Sequence, residues 1–491
     1  MRLLFADQLG PHFRADLADD EPVLLVESRA AFARRRAHRQ KAHLLLSALR
    51  HLAVELGERA VHVRAESYGA ALERLRVDPR EVSVVDPTSY AARRWVREQG
   101  MTVLPARGFT LAESDFQGWL GSRRPVLEEF YRHQRGRLGL LLEPDGGPVG
   151  GRWNFDADNR LPPPRGRRTL GLPHPWRPEE DDVDAAVRRD LDAWAAEGVA
   201  LVGADAPRTF AATRVEALTA LADFVRHRLV QFGPYEDAML HDDWAMAHSL
   251  LSVPMNLGLV EPLEVVEAAV SAHREGRAPL PSVEAVVRQV VGWREWAWQL
   301  YWALGPEYAG RNALGAREPL PEWFADLRPE LVRAACLRSA LEEVRDRAWS
   351  HHIVRLMVLG NWALQRGYDP RATAAWFRDG FADGYDWVMV TNVVGMALYA
   401  DGGRMATKPY AAGGAYLHRM SDHCRSCPFS PSVRVGPRAC PFTAGYWAFL
   451  DRHAEALRGN HRLARPYAGL QRLTDREALV AQESARGDGP P

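Results

Sequence analysis

The sequence predicts an α/β domain built on a parallel sheet, followed by a larger domain that is all-α. Three observations carry this reading. The chain has 491 residues, too many for one ordinary core. Its first ~105 residues alternate short apolar runs with helical stretches. Beyond residue ~210 the apolar spacing is helical almost throughout.

Taken in order, "RLLFA", "PVLLVES", "AVHVRAE", "EVSVVD" and "MTVLPA" read as strands, and "KAHLLLSALRHLAVEL", "YGAALERLR" and "YAARRWVREQ" as the helices between them. Such alternation implies a parallel sheet covered on both faces. No G-x-G-x-x-G follows the first strand, so a dinucleotide fingerprint is absent. Ligands of such sheets sit at the carboxyl ends of strands, where Asp7, Gln8 and Glu27 are the polar groups. Turn and cap duty is the alternative for these three.

The α/β domain is assigned residues 1–130 and an interdomain linker residues 131–210. Within the linker, "GGPVGGRWNFDADNRLPPPRGRRTLGLPHP" is a long ordered crossing loop. Residues 211–480 form the helical domain. In "EPLEVVEAAVSAHREG", Pro262 sits in the first turn, Gly276 follows the last, and Leu263, Val266, Ala269 and Val270 share a stripe. "SVEAVVRQVVGWREWAWQLYW" is a further helix, opened by Ser282. Residues 481–491 are expected to be a disordered tail.

With 46% hydrophobic, 26% charged and 9% aromatic residues the composition is that of a soluble globular protein. No apolar run reaches the ~18 residues of a membrane span, and the start lacks the marks of a signal peptide, so no membrane contact and a cytoplasmic location are expected. Formal net charge is zero, so nucleic-acid contact would need a local basic patch. The only lysines are Lys41 and Lys408. Sixteen tryptophans serve the core, and in a redox protein some also serve as stepping stones for electrons.

Five motifs carry chemistry. Cys424, Cys427 and Cys440 form C-x2-C-x12-C, a metal-site spacing that fits zinc or iron–sulfur. Cys336, His418 or His423 can supply the fourth ligand; a dithiol pair and unligated thiols are the other readings. "WSHHIVRLMVLGNWALQRGYDP" is a buried helix on which His351 and His352 differ by about 100° and so face different ways. One can face a cavity while the other is structural. "FADGYDWVMVTNVVGMALYADGGRMATKPYAA" mixes Asp383, Asp386, Asn392, Asp401, Lys408 and Tyr410 with aromatics, as an enclosed cofactor requires. "HSLLSVPMNLG" offers Ser249 and Ser252 near a helix start, a phosphate cradle. "GWREWAWQLYW" sets Arg294 and Glu295 among tryptophans, either a surface for flat ligands or an ion pair under indoles.

These motifs, in this order, resemble the photolyase–cryptochrome superfamily, and most closely its bacterial iron–sulfur branch, the prokaryotic (6-4) photolyases and related cryptochromes. The similarity runs from "FADQLG" and "LVES" through "RWNFDADNR", "FGPYEDAM", "HSLLS" and "HHIVRLMVLGNWAL" to "ADGGRMATKPYAAGGAYLHRMSDHC" and "ACPFTAGYWAFL". It implies an antenna domain followed by an all-helical FAD domain. It assigns a 4Fe-4S cluster to Cys336, Cys424, Cys427 and Cys440. FAD contacts carry over to Tyr235, to His248, Ser249, Leu250, Leu251 and Ser252, and to Arg294, Asp383 and Asn392, with Met389 near flavin N5, where some relatives carry a carboxylate. Methionine there neither donates nor accepts a proton. The family's antenna, 6,7-dimethyl-8-ribityllumazine, maps to Asp7, Gln8 and Glu27. His352 matches the catalytic histidine, His351 its supporting neighbour, Tyr410 a tyrosine of the lesion pocket, and Trp376 the flavin-proximal electron donor. Glu295 and Trp298 are assigned to the substrate side. The usual distal tryptophan is replaced by Ala325, beside the insertion "ADLRPELVRAA".

The implied activity is light-driven repair of (6-4) pyrimidine photoproducts in UV-damaged DNA by electron transfer from reduced FAD, performed by a monomer. A cryptochrome-like blue-light photoreceptor without repair is the second hypothesis, and a light-independent nucleic-acid-binding protein with structural zinc the third.

Overall fold

In the computed structural model, which describes residues 1–491, five parallel strands form one sheet in the order β3–β2–β1–β4–β5. They are β1 (Arg2–Leu4), β2 (Val23–Ser28), β3 (Ala60–Ala65), β4 (Ser83–Val85) and β5 (Thr102–Leu104). Each strand read from the sequence is present. β2 is buried along its whole length, which is why it reads as a continuous apolar run rather than an alternating one. The crossing helices are α1 (Arg39–Leu56), α2 (Tyr68–Leu75) and α3 (Tyr90–Glu98). Ser67 and Ser89 cap α2 and α3, their hydroxyls accepting from Ala70 N and Ala92 N at 3.2 Å. Strand order reverses between β1 and β4, the place where ligands of open α/β sheets bind.

The helical domain packs directly on this one. Leu4, Val23 and Leu25 share an apolar core with Leu257, Val265 and Val286. Lys41, on α1, is buried against the helical domain. Its ammonium donates to Arg378 O at 2.6 Å and to Gly384 O, and burial lowers it to about 8. The crossing loop carries only one short helical turn, Val149–Gly151, before α4 (Asp182–Ala196), which Asp181 opens with a full capping box. α5 (Arg214–His227) starts the helical domain.

Two helix expectations are corrected in detail. α6 (Pro262–Arg274) forms as read, but Leu263 is 39% exposed and the buried stripe runs through Val265, Val266, Ala269 and Val270. The next helix begins at Leu280 behind Pro279, so Ser282 lies inside its first turn. The Ser282 hydroxyl donates to Val230 O at 2.9 Å and accepts from Gly233 N, pinning two helices together. A Cβ on Gly233 would come within 2.9 Å of the Ser282 backbone, so only glycine permits this approach.

Three stretches are wound as π-helix: Arg288–Arg294, Arg355–Gly360 and Val390–Ala397. Such turns gather at functional sites because the extra residue re-aims side chains. No helix is long and apolar enough to cross a membrane.

The tail is also corrected. Residues Arg476–Arg486 are helical and bury Leu479 and Glu483; the Glu483 carboxylate pairs with Arg366. Beyond this helix, Trp323 Nε1 donates to Asp488 O at 2.7 Å. A polar, glycine-rich composition concealed these contacts because their partners are remote in sequence.

On α7 (Ala335–Arg347), Glu343 is buried with Oε2 unpartnered. Burial pushes its carboxyl up to about 8, against the pull of Arg347. A raised folded-state value means that stability is full below the ordinary carboxyl range and falls as pH rises towards 8. Glu343→Gln is therefore expected to flatten the decline in melting temperature between pH 5 and pH 8, compared with the parent by calorimetry.

Candidate functional site

The three π-helical stretches wall a cavity of about 1300 Å³. That exceeds the roughly 300–1,000 Å³ of ordinary small-molecule sites. It has room for a dinucleotide-sized group and a second ligand beside it.

His248, Ser249, Leu250 and Ser252 come to one wall of the cavity. Leu250 adopts φ +59°, a left-handed conformation that leucine rarely takes, and this turn swings the segment against the cavity before the short helix Ser252–Asn256. The Ser252 hydroxyl donates to Asp383 Oδ2 at 2.7 Å. Arg355 clamps the same carboxylate with two bonds of 2.9 and 3.1 Å, and Asn256 Nδ2 donates to Asp383 O. Asn392 lines the cavity from the third π-helical stretch, Met389 from the turn just before it, and Arg294 from the first. Burial lowers the Arg294 guanidinium to about 10; it lies over the Phe109 ring, 4.4 Å from the centroid.

His351 and His352 diverge as helical geometry requires. His351 is extended, at the helix cap, and buried; His352 opens the helix with 46% of its side chain exposed. The His351 ring stacks on His248 at 4.4 Å, and His352 stands edge-on to His248 at 5.4 Å. Burial, then neighbouring positive charge, push His248 and His351 well below the ordinary imidazole range, so both are neutral. His352 Nε2 lies 3.5 Å from the Asp237 carboxylate. Tyr410 is half-buried in the same cavity. Arg124, Arg160, Arg404, Lys408, Arg419 and Arg462, all exposed, line it as well. A chain of zero net charge thus carries a local basic rim.

Other expected residues lie elsewhere. Tyr235 and Leu251 are not part of the cavity wall; Leu251 is core and Tyr235 packs against the cluster of Ala238, Leu240 and Met246. Trp298 is 1% exposed and stacked on Phe109 at 3.7 Å, and Glu295 is fully buried, accepting from Thr110 N at 3.0 Å. Neither lines the cavity; the motif is an ion pair under indoles. Trp376 stands behind Phe377, which does line the cavity, and donates from Nε1 to Ala325 O. In the α/β domain Glu27 is buried and saturated, accepting two bonds of 2.7 Å from Arg50 and pairing with His62 at 2.8 Å. Burial alone would raise it, but those partners hold it low, at about 2. Gln8 donates to Val85 O, and Asp7, raised by burial, accepts from Thr88.

The four cysteines are free thiols in one neighbourhood, Cys336 and Cys440 buried, Cys424 and Cys427 partly so. Burial, reinforced by Cys440 and Cys427, raises Cys424 to about 12, and the other three thiols help raise Cys336. Four mutually opposed thiolates suit a soft cationic centre. The cavity in turn fits a flavin dinucleotide: His248 Nε2, His351 Nδ1 and Ser350 Oγ are buried in its walls without partners.

Sequence reasoning missed Glu236, Asp237, Arg288 and Arg355. The adjacent acids in "FGPYEDAM" and the i, i+4 pair Glu284–Arg288 were visible, but their meeting place was not.

A parallel-sheet domain joined to a helical domain around such a cavity is the photolyase–cryptochrome architecture. It aligns with the crystal structure of a bacterial class III photolyase from Agrobacterium tumefaciens with a TM-score of 0.56, covering 93% of this chain and 97% of that one at 17% identity. Residues 2–199 match the family model of deoxyribodipyrimidine photo-lyase-related proteins. A (6-4) photolyase of Agrobacterium fabrum is 38% identical over 511 aligned residues, 98% of each chain. An uncharacterized protein of Acanthamoeba polyphaga mimivirus, R855, is 46% identical over 66 residues, 13% of this chain and 54% of its own. The chain belongs to the photolyase family, as a homologue of (6-4) photolyases.

Proposed function

We propose that this protein binds UV-damaged DNA and repairs (6-4) pyrimidine photoproducts in a light-dependent lyase reaction. The observation that carries this reading is His352, half-exposed in a basic-rimmed cavity beside two buried, neutral histidines.

Ser249, Ser252, Arg294, Asp383, Met389 and Asn392 are the residues that would hold FAD. When bound, FAD supplies the light-driven electron. The chain's own part is to bind and move protons. The exposed arginines and Lys408 neutralise backbone phosphates. Asp237, 3.5 Å away, orients His352, whose Nε2 delivers a proton to the lesion. His351 stacks on His248 and fixes the backbone from which His352 projects. Tyr410 packs against the flipped bases. Trp376 is assigned to re-reduction of the flavin, a ribityllumazine to the sheet edge near Asp7 and Gln8, and a 4Fe-4S cluster to Cys336, Cys424, Cys427 and Cys440.

Purified protein under blue light should restore a (6-4)-damaged oligonucleotide and leave it unchanged in the dark. Failure of repair with reversible flavin photochemistry would select the photoreceptor reading instead. Cys427→Ser is expected to lose the brown colour and most of the soluble yield; a stable, active, iron-free variant would remove the cluster from the account.

A further inference from the structure

We propose that Glu236 and Arg288 form a two-pronged reader for the imide edge of the flipped pyrimidine, Arg288 Nη2 donating to a ring carbonyl and Glu236 Oε2 accepting from N3–H. This rests on the repair reading above and names a recognition device within that site.

Glu236 is 4% exposed and lines the cavity, yet its Oε2 has no partner. Its other oxygen lies 3.5 Å from Arg288 Nη2, too far for a good hydrogen bond, and that Nη2 is also buried and unpartnered. Arg288 is held from behind: Nη1 donates to Asp156, and Nε lies 3.6 Å from Glu284. Glu284 is itself occupied by the Tyr131 hydroxyl and Phe155 N. A donor and an acceptor thus stand side by side, positioned and unsatisfied. Buried groups of this kind normally find a partner, and the cavity that both residues line is where one can enter.

The chemistry of that partner is constrained. A phosphate at Arg288 would sit against the Glu236, Asp237 and Asp156 carboxylates. A cation at Glu236 would meet Arg288 and His352. A neutral edge carrying a carbonyl beside an N–H satisfies both prongs. The flavin ring and a pyrimidine base both have such an edge. The pyrimidine is favoured because Asp237, next in the chain to Glu236, holds His352, and because Asp156 also pairs with exposed Arg160. Burial pushes Glu236 up to about 7, against the pull of Arg288 and His352 and with Asp237 and Asp156 adding to the rise, so at mildly acid pH its charged acceptor gives way to a weaker neutral one.

The test is binding in the dark to duplexes carrying a (6-4) lesion with a natural or an N3-methylated 5′ base. Methylation should weaken the parent protein about 10- to 100-fold, since it leaves a buried acceptor unpaired. Glu236→Ala should bind both lesions alike, with unchanged affinity for undamaged duplex. Glu236→Gln, of the same shape, guards against misfolding: lesion affinity of the parent should fall from pH 8 to pH 6 and that of the variant should not. An equal methylation penalty in parent and Glu236→Ala overturns the proposal. So does a loss of FAD from the Glu236 variants with the penalty intact, which would assign the fork to the flavin. A parent protein that neither repairs the lesion nor distinguishes it from intact DNA fails at the earlier step, and the repair reading falls with it.

Discussion

His352→Ala lowers light-driven repair of (6-4) lesions by about 10²- to 10⁴-fold, the usual worth of a positioned proton donor, with flavin content and lesion affinity little changed. The reason is positional. His248 and His351 are buried and held neutral, so neither can stand in for His352 as the proton donor. His352 alone of the three is half-exposed, and Asp237 stands 3.5 Å from its Nε2. The split between binding and turnover is the deciding measurement: single-turnover repair under saturating light, beside dark binding to the same oligonucleotide. Equal losses in both would make His352 a binding residue, and intact repair would remove it as the acid.

Arg208→Ala destabilises the fold by about 3–5 kcal/mol, because it strands a buried carboxylate. Arg208 and Asp184 are both about fully buried, joined by two bonds of 2.7 and 3.0 Å. The same guanidinium takes Glu216 with bonds of 3.0 and 3.1 Å and donates to Phe210 O. It thereby locks α4 to α5, the joint through which the linker enters the helical domain. Denaturant titration of the single variant against Arg208→Met combined with Asp184→Leu checks the cause. The double variant should regain most of the loss, since removing both charges removes the stranded one. Equal instability of the two would assign the effect to packing.

The elements that were legible were those written in local periodicity. The five strands and their helices follow from alternation of apolar runs, and α6 from its proline start and glycine stop. Serine positions misled at Ser282, because a hydroxyl near a helix start caps as readily as it bridges to another segment. Glu27 reads as a ligand group at a strand end, and only the fold shows that Arg50 and His62 meet it there. Trp298 and Glu295 looked like a binding surface, but Phe109 and Thr110 come from the other domain and cover them.

By itself the sequence determined the α/β-then-helical order, the cysteine spacing and the presence of the histidine pair, since each depends on neighbours within a few turns. Tertiary structure alone decided which histidine of the cavity is exposed, that Cys336 joins the other three thiols, and that Glu236 meets Arg288. These depend on π-helical turns and on segments far apart in the chain, whose approach is set by packing of whole elements.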